Sequence, residues 1–335
     1  MKRTLIGSFA LAAVVAAFAF RYQLSQNTYQ IARVDDPSAK GAFHIHTTDS
    51  HDGRQSLDSV ITAARELGLH FVVITDHNLK NWKINKDNDL WIVRGPELSL
   101  EHGHTIRLAG ENEAIDIIAH PGRPRKPRTQ PLTTEVGIEL VNPTVTAEEL
   151  LYRSPLKLLL SLVTYLAEPK LGLLSLLDVD RSALKFLGSE RPLSLWCGVD
   201  AHGWLPAREN LSVWTTSLRL RPQELDEESL LKELKAGPAG CFSSLLTNGH
   251  PIRVTLTDAG SWEFQLKRAL AYTGSFRLYR NGELIATSSS ASFRYVPKVA
   301  GHYHIEYWVH SNAIPWLRGP QLVAFQSLSL LKPKK

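Results

Sequence analysis

From Gly41 onward, short apolar runs alternate with helical stretches, and this alternation constrains the fold more than any other feature of the sequence. Ala42–His46 is predicted to be a strand, Ser56–Leu67 an amphipathic helix, and Phe71–Thr75 a strand buried on both faces. The further runs with strand character are Trp91–Val93, Thr105–Ala109, Ile115–Ala119, Gly137–Val141 and Leu195–Val199. Strands that alternate with helices predict an α/β architecture with a parallel sheet or barrel.

A leucine-rich segment, Leu150–Leu187, interrupts this alternation. Its run Leu156–Ala167 is predicted to be a helix, but a dozen residues are too few to cross a bilayer, which needs about 20. Two interpretations fit the segment. It supplies core or lid helices, or it forms an interfacial helix that touches a membrane, with Lys157 and Lys170 at its flanks.

The character of the sequence changes at about position 251, where short strands alternate apolar with polar residues. Two of these strands are joined through Asn281-Gly282, which is a strong hairpin signal. The pattern predicts a small antiparallel, sandwich-like β domain. His302 and His304 lie two residues apart in it without accompanying acids, and they are predicted to be surface residues of a strand.

The N-terminal segment has the layout of a secretory signal or a short membrane anchor. Lys2 and Arg3 precede the apolar run Leu5–Phe20, and Ala17-Phe18-Ala19 supplies an A-x-A cleavage pattern. A cleaved signal and a retained anchor both fit this pattern. Either one predicts an exported protein, which is periplasmic or anchored so that it faces the periplasmic or extracellular side.

Charge and cysteine content constrain the function only weakly. The 335 residues carry a formal net charge of +5, which suits an anionic substrate but is too small to indicate nucleic-acid binding. Cys197 and Cys241 could pair in an oxidising compartment, although a buried free thiol at Cys197 fits equally well.

Histidines and acids cluster at the ends of the predicted strands. His44 and His46 lie two residues apart on a strand, so both side chains point to the same face. The carboxyl ends of parallel strands converge, and imidazole together with carboxylate suits zinc, iron or manganese. The clustered groups are His44, His46, Asp52, His77, Glu97, His104, His120, Asp200 and His202. They exceed what one ion needs, so a two- or three-metal centre is predicted.

Several of these residues stand in short motifs. The motifs are His44-Ile45-His46-Thr47, Asp52-Gly53, Ile74-Thr75-Asp76-His77-Asn78, Gly95-Pro96-Glu97, Ala119-His120-Pro121 and Asp200-Ala201-His202. Their joint order and spacing, over about Gly41 to Cys241, resemble the PHP family, named for its polymerase-associated and histidinol-phosphatase members. The resemblance implies a distorted (β/α)7 barrel, with the nine clustered groups as ligands of a trinuclear centre, usually of zinc, manganese or iron.

Two positions depart from a simple match to the family. His104 is the weakest of the implied ligands, because His102 lies beside it. The connection after the first motif is longer than expected, so Asp49 or His51 could also reach the metals.

The resemblance and the chemistry of the residues agree on a metal-dependent hydrolase. The expected activity is a phosphoesterase that attacks a phosphate mono- or diester with metal-activated water, using two to three divalent ions. His77, Asp200 and Asp76 are the predicted catalytic groups, with Asp76 orienting an imidazole. Glu139 fits an outer-sphere role or a solvated strand acid equally well. The rival functions are an amide or carbamate hydrolase on the same scaffold, a nuclease, and a non-catalytic metal-binding module.

A basic loop follows His120, with four cations in the six residues Arg123–Arg128. Arg123 and Arg125 are predicted to contact the phosphate of a small-molecule phosphoester, and a solvated loop is the alternative. The sequence thus predicts four segments. Residues 1–22 form the signal or anchor, 23–40 a linker, 41–248 the PHP-type hydrolase barrel and 249–332 the C-terminal β domain.

Overall fold

The computed structural model describes residues 38–77, 79–80, 82–110, 113–129, 135–186, 193–245, 252–257, 260–265, 274–290, 292–310 and 320–330. The predicted signal or anchor at 1–22 and nearly all of the predicted linker at 23–40 lie outside the described residues. Within the described residues, no helix is both long and apolar enough to cross a membrane.

The first half of the chain builds a mixed sheet around strand β1 (Lys40–Ile45). The strands that follow are β2 (Phe71–Ile74), β3 (Lys83–Asp87), β4 (Leu90–Arg94), β5 (Glu97–Leu100), β6 (Gly103–Gly110), β7 (Glu113–Ala119), β8 (Gly137–Val141) and β9 (Ser194–Ala201). β1 pairs in parallel with β2 and β9, β2 with β4, β9 with β8, and β8 with β7. The carboxyl ends of these parallel strands therefore meet at one edge of the sheet.

The predicted distorted (β/α)7 barrel is wrong. In the described part of the chain, strand outweighs helix, the large sheet is mixed, and it does not close into a barrel. β3 with β4, β5 with β6, and β6 with β7 are antiparallel neighbours. Only two residues join the strands of each pair, whereas a parallel crossover needs about a dozen. Hairpins therefore replace the helical crossovers that the sequence pattern predicts.

Helices cover parts of the sheet. They are α1 (Leu57–Glu66), α2 (Pro143–Arg153), α3 (Pro155–Ala167), α4 (Pro169–Leu173), α5 (Arg181–Leu184), α6 (Ala207–Val213) and α7 (Glu227–Ala236), with 3-10 turns at Leu174–Leu176 and Pro222–Glu224. α1 begins where the Ser56 side chain accepts a hydrogen bond from the Ser59 N–H, and it buries Val60 and Ala64 against the sheet. Its apolar positions recur at helical spacing, so one face packs and the other is solvated.

α3 leaves much of its apolar surface uncovered. Leu156, Leu159 and Leu166 are 66%, 56% and 83% exposed, and they recur along one stripe of the helix. Exposed patches of this kind mark binding sites for proteins, membranes or ligands. An interfacial role for Leu150–Leu187 stays a prediction.

The second half of the chain extends the same sheet. Its strands are β10 (Thr215–Ser217), β11 (Gly240–Phe242), β12 (Arg253–Leu256), β13 (Trp262–Gln265), β14 (Gly274–Arg280), β15 (Glu283–Ser288), β16 (Ser292–Tyr295), β17 (Gly301–His310) and β18 (Pro320–Leu330). From β1 outward, the order of the added strands is β10, β11, β18, β17, β14 and β15. Together with β1 to β9 they form one 15-stranded sheet. β12, β13 and β16 form a separate three-stranded sheet. The strands of this region are antiparallel, as predicted, and the two sheets pack together, with 4.8 Å between the ring centroids of Trp262 and Tyr303. The larger of these sheets is continuous with the sheet of the first half.

Two contacts tie the halves together. Cys197 of β9 and Cys241 of β11 form a disulfide, with their Cα atoms 6.0 Å apart. Phe325 of β18 pairs with Cys241 across the sheet and packs near Trp214, with 6.0 Å between ring centroids. The sequence left the cysteine pairing open, and the structure resolves it as a disulfide. The predicted division at residue 248 falls in a stretch outside the described residues and stays a prediction.

Candidate metal centre

Strand ends with unusual backbone geometry position three of the predicted ligands. His44, His120 and Asp200 have positive φ values of 70°, 27° and 47°. Such values are uncommon for residues other than glycine, and they cluster at functional sites, where surrounding structure holds them. The register of β1 shifts around His44, and its ring turns toward His46, with 3.1 Å between their Nε2 atoms.

Glu97 lies at the centre of the site. The corner between β4 and β5 carries it there, because the Gly95 and Glu97 N–H groups donate to the carbonyls of Ile74 and Thr75 at 3.0 and 3.2 Å. Five imidazoles surround its carboxylate, which is 2% exposed with its residue. They are His46 at 3.1 Å, His44 at 3.2 Å, His77 at 3.3 Å, His104 at 2.7 Å and His120 at 2.8 Å.

Hydrogen bonds at Nδ1 fix the orientation of three of the rings. His44 Nδ1 donates to Glu139 Oε1 at 2.7 Å, and His77 Nδ1 donates to the Glu97 carbonyl at 2.9 Å. His202 Nδ1 donates to the carbonyl of Asp200 at 2.8 Å. A neutral imidazole that donates from Nδ1 keeps a lone pair on Nε2. All three Nε2 atoms face carboxylates of the cluster. Histidines that bind metal ions through Nε2 commonly have this arrangement, in which Nδ1 donates to a carboxylate or a carbonyl.

Acceptor atoms therefore converge without enough donors. Asp200 is 2% exposed, and neither of its carboxylate oxygens accepts a hydrogen bond from any described residue. Its Oδ1 lies 3.2 Å from His44 Nε2 and 3.5 Å from His46 Nε2. A buried carboxylate without donors is costly unless a cation balances it. The donor set, imidazole nitrogen with carboxylate oxygen, fits a divalent metal ion.

The described residues include three overlapping groups that could hold metal ions, with ligand atoms within 4.8 Å of one another. They are His44, His46, Glu97 and Asp200; then His46, Asp52 and His77; then His77, Glu97 and His104. His202 joins through Asp52 Oδ2 at 3.2 Å, and His120 through Glu97. The structure thus brings together all nine residues that the sequence proposes as ligands.

Charge coupling shifts the pKa values across the cluster. Burial lowers the pKa of His44, but the carboxylates of Glu139, Asp200 and Glu97 outweigh it and hold the pKa well above the ordinary value. The same balance raises the pKa of three further rings, those of His46, His77 and His202. Burial alone would raise the pKa of Asp200, yet the imidazoles, His44 foremost, hold it well below the ordinary value. Protons and metal ions are thus alternative partners for the same nitrogens.

Glu139 supports the ligands from behind, a role that the sequence left undecided. It is fully buried and accepts hydrogen bonds from His44 Nδ1, from the His120 N–H at 2.7 Å and from Asn142 Nδ2 at 3.1 Å. Gly198 makes room for it, since a Cβ there would collide with the carboxylate. The available signal was an acid in the middle of an otherwise apolar strand, followed by Asn142 before the proline that starts α2.

Asp76 has a different position from the one predicted. It is fully buried, and it accepts hydrogen bonds from the N–H and the hydroxyl of Thr47, the latter at 2.8 Å, instead of from a histidine ring. It therefore anchors the loop that follows β1. Asp49 forms an ion pair with Arg94 at the surface, and the ring of His51 lies 5.1 Å from that of His77.

The basic loop divides into residues with different surroundings. Arg123 is half-buried and contacts Glu148 Oε1 at 3.2 Å. Burial lowers its pKa, but the carboxylates of Asp200 and Glu148 outweigh burial and raise the pKa above the ordinary value. The Arg123 N–H donates to the carbonyl of His120 at 3.0 Å, which holds the residue next to the cluster. Arg125 is exposed and reaches the Tyr152 hydroxyl at 3.3 Å. Arg128 is buried in an ion pair with Glu135, so it has a structural role.

No protein-family model matches the chain, and a search of curated proteins finds no match either. The resemblance to the PHP family therefore rests on the motif residues alone. What the chain does has to be argued from the geometry of the cluster, which contains buried groups that could hold metal ions.

Proposed function

We propose that this protein is a metal-dependent phosphoesterase whose ligand set resembles that of the PHP family. The observation that carries the proposal is the convergence of imidazole lone pairs on the buried carboxylates of Glu97 and Asp200. Asp200 is 2% exposed, and neither of its carboxylate oxygens accepts a hydrogen bond from a described residue. A bound cation would balance this buried charge.

The three overlapping groups would hold two to three divalent ions, of zinc, manganese or iron. His46, Glu97 and His77 each belong to two of the groups, which suits bridging or neighbouring sites. When bound, such ions acidify water and offset the charge of phosphoryl oxygens. The family resemblance is the reason to favour a phosphoester over an amide or carbamate as the substrate.

The chain's own groups would orient the reaction. Arg123 places a guanidinium beside the cluster, where it can pair with phosphate oxygens once the ester enters. Glu139 holds the His44 ring with its Nε2 facing inward. Asp52, at the outer side of the cluster, contacts His77 and His202 at 3.3 and 3.2 Å, so it would complete the group that it forms with His46 and His77.

We also propose that the protein is exported. The basic N-terminal residues and the apolar run Leu5–Phe20 support this, and so does the disulfide between Cys197 and Cys241. Disulfides persist in oxidising compartments and are rare in the cytosol.

Metal content and hydrolysis test the proposed function together. The full chain, purified without added metal, is expected to carry two to three equivalents of transition metal by elemental analysis. It should hydrolyse p-nitrophenyl phosphate or bis(p-nitrophenyl) phosphate, lose that activity to a chelator, and regain it when metal is returned. A panel that also contains p-nitrophenyl acetate and an anilide separates phosphoesters from carbonyl substrates. Chelator-resistant hydrolysis, or hydrolysis of the carbonyl substrates alone, would overturn the proposal.

A further inference from the structure

An apolar pocket opens directly beside the metal centre. It encloses about 340 Å³, which lies within the usual size range of small-molecule sites. Leucines from α2, α3 and α4 form its walls, among them Leu151, Leu158, Leu162 and Leu173. Asp200 and His202 line the same pocket, so its far end is the ligand cluster itself.

The polar end of the pocket lies near the guanidinium of Arg123 as well as at the ligand cluster. Glu148 lines the pocket and binds the guanidinium of Arg123 at 3.2 Å. The Arg123 N–H also donates to the carbonyl of His120 at 3.0 Å, so Arg123 is held beside a candidate ligand as well as beside Glu148. The same pocket is therefore lined by Asp200 and His202 of the ligand cluster at one side and by leucines at the other.

We propose that the substrate is an amphiphilic phosphoester whose phosphate lies at the metal centre while its alkyl chain occupies this leucine-lined pocket. The inference rests on the proposed function for the phosphate end and on the pocket for the chain. Polar side chains along the wall are already hydrogen-bonded within the protein: Ser161 donates to the Lys157 carbonyl, Tyr165 to Glu209 and Asn210 to the Leu205 carbonyl. A sugar or a nucleoside in this pocket would therefore leave many of its hydrogen bonds unmade.

The shape of the pocket mouth favours a chain over a compact apolar group. Leu151 and Leu162 line the pocket and are also 50% and 51% exposed. A chain that outgrows the pocket therefore continues along apolar surface instead of entering water. Trp204 stands at the same pocket, 71% exposed and stacked under the Arg54 guanidinium, and it adds a further apolar face.

Binding of a homologous series tests this inference without relying on turnover. The metal-loaded full chain is titrated calorimetrically with butylphosphonate and octylphosphonate, both below their micelle-forming concentrations. Each buried methylene should tighten binding about threefold, so the Kd for octylphosphonate should be about 100-fold lower than that for butylphosphonate. Equal Kd values for the two chains would overturn the inference. So would octyltrimethylammonium binding as tightly as octylphosphonate, because the phosphate end would then play no part.

Matched variants test where the alkyl chain of the ligand binds. Leu151→Gln/Leu162→Gln changes two half-exposed pocket residues and should reduce the 100-fold difference to 10-fold or less. Leu156→Gln/Leu166→Gln makes the same two changes at residues of α3 that are 66% and 83% exposed and lie outside the pocket lining, and it should keep the wild-type series. An equal effect of both variants would contradict the assignment of the pocket. If chain-length dependence holds but octyl phosphate and the p-nitrophenyl esters are not hydrolysed, the pocket assignment stands and the proposed function fails.

Discussion

Two pairs of histidines in this molecule have the same spacing of two residues along a strand but have different surroundings. His44 and His46 lie at the end of strand β1, and their Nε2 atoms face each other at 3.1 Å. Four carboxylates contact this pair, those of Asp52, Glu97, Glu139 and Asp200. His302 and His304 lie within strand β17, where both neighbours continue the antiparallel sheet. The ring of His304 is stacked on that of Tyr279 at 4.4 Å, and its Nε2 lies 3.3 Å from Glu306 Oε1.

The difference shows what converts a spacing into a site. An i, i+2 pair puts two side chains on one face of a strand in either region. At β1, the strand ends, the backbone at His44 adopts a positive φ, and the nearby Asp200 carboxylate accepts no hydrogen bond from any described residue. At β17, the carboxylate beside His304 is that of Glu306, and it already accepts a hydrogen bond from Trp308 Nε1 at 2.6 Å. A buried carboxylate without hydrogen bonds at a strand end, and not the spacing of the histidines, therefore distinguishes the candidate metal centre.

The largest expected effect is at Asp200. Asp200→Asn keeps the shape and removes the charge that four neighbouring imidazoles need as a partner. Metal affinity should fall by more than about 100-fold, beyond the range seen for outer-sphere partners, and hydrolysis of p-nitrophenyl phosphate should fall with it. Elemental analysis and steady-state rates measure the two losses. Glu306→Gln is the matched control in the other pair and should leave the metal content unchanged.

Removing the disulfide tests whether the strands around the ligand cluster and the C-terminal strands stabilise each other although the C-terminal strands supply no ligand among the nine candidates. The disulfide closes a loop between residues 44 apart in the sequence, so Cys197→Ala/Cys241→Ala should lower the free energy of unfolding by about 2–4 kcal/mol. Urea unfolding of the metal-stripped protein, with and without reductant, measures this loss. The double variant should still bind its full complement of metal at low temperature. Loss of metal in a variant that is folded by circular dichroism would mean that the C-terminal strands shape the site directly.

Glu139 offers a smaller and more selective perturbation. Glu139→Gln keeps the volume but weakens the hydrogen bonds to the His44 ring and the His120 N–H. Metal affinity should fall by about 10- to 100-fold, as it does for other outer-sphere carboxylates. A competition titration with a fluorescent chelator measures it. Glu283→Gln, at an exposed strand acid of β15, serves as control, and equal effects of the two changes would refute a positioning role for Glu139.

The smallest effect is expected at His304. His304→Ala removes the stacked contact with Tyr279, which should cost about 1 kcal/mol of stability and no metal. Thermal unfolding and elemental analysis measure both quantities. A lower metal count in this variant would break the distinction between the two histidine pairs.

The ligand cluster was largely predictable from the sequence, because its residues follow runs of unmistakable strand character. His77 lies two residues after the apolar run Phe71–Thr75, and His120 directly follows Ile115–Ala119. Local pattern fixes where a strand ends, and parallel neighbours then bring those ends together.

The sheet was predicted less well, because pairing direction depends on connections and not on the strands themselves. Lys83–Asp87 is polar, with one half-buried isoleucine, so no apolar run marked it as β3. Glu97–Leu100 was not predicted as a strand, which hid the hairpin to β6. His304 was expected at the surface, and that was wrong, since it is 4% exposed beneath Tyr279. Its burial depends on a cross-strand partner 25 residues earlier in the sequence, which periodicity cannot show.

Strand β18 has a consequence for how this chain acquires its structure. It lies between β11 and β17, so residues 320–330 join the halves of the sheet although they are the last described segment of the chain. Contacts between distant segments slow folding, because loop closure costs entropy before any pairing repays it. The edge of β11 stays open until the C-terminal residues have emerged, and open edges invite pairing with other chains. If the protein is exported as proposed, the candidate ligands from His44 to His202 would cross the membrane before residues 320–330, so the candidate metal site would assemble while the edge of β11 is still unpaired.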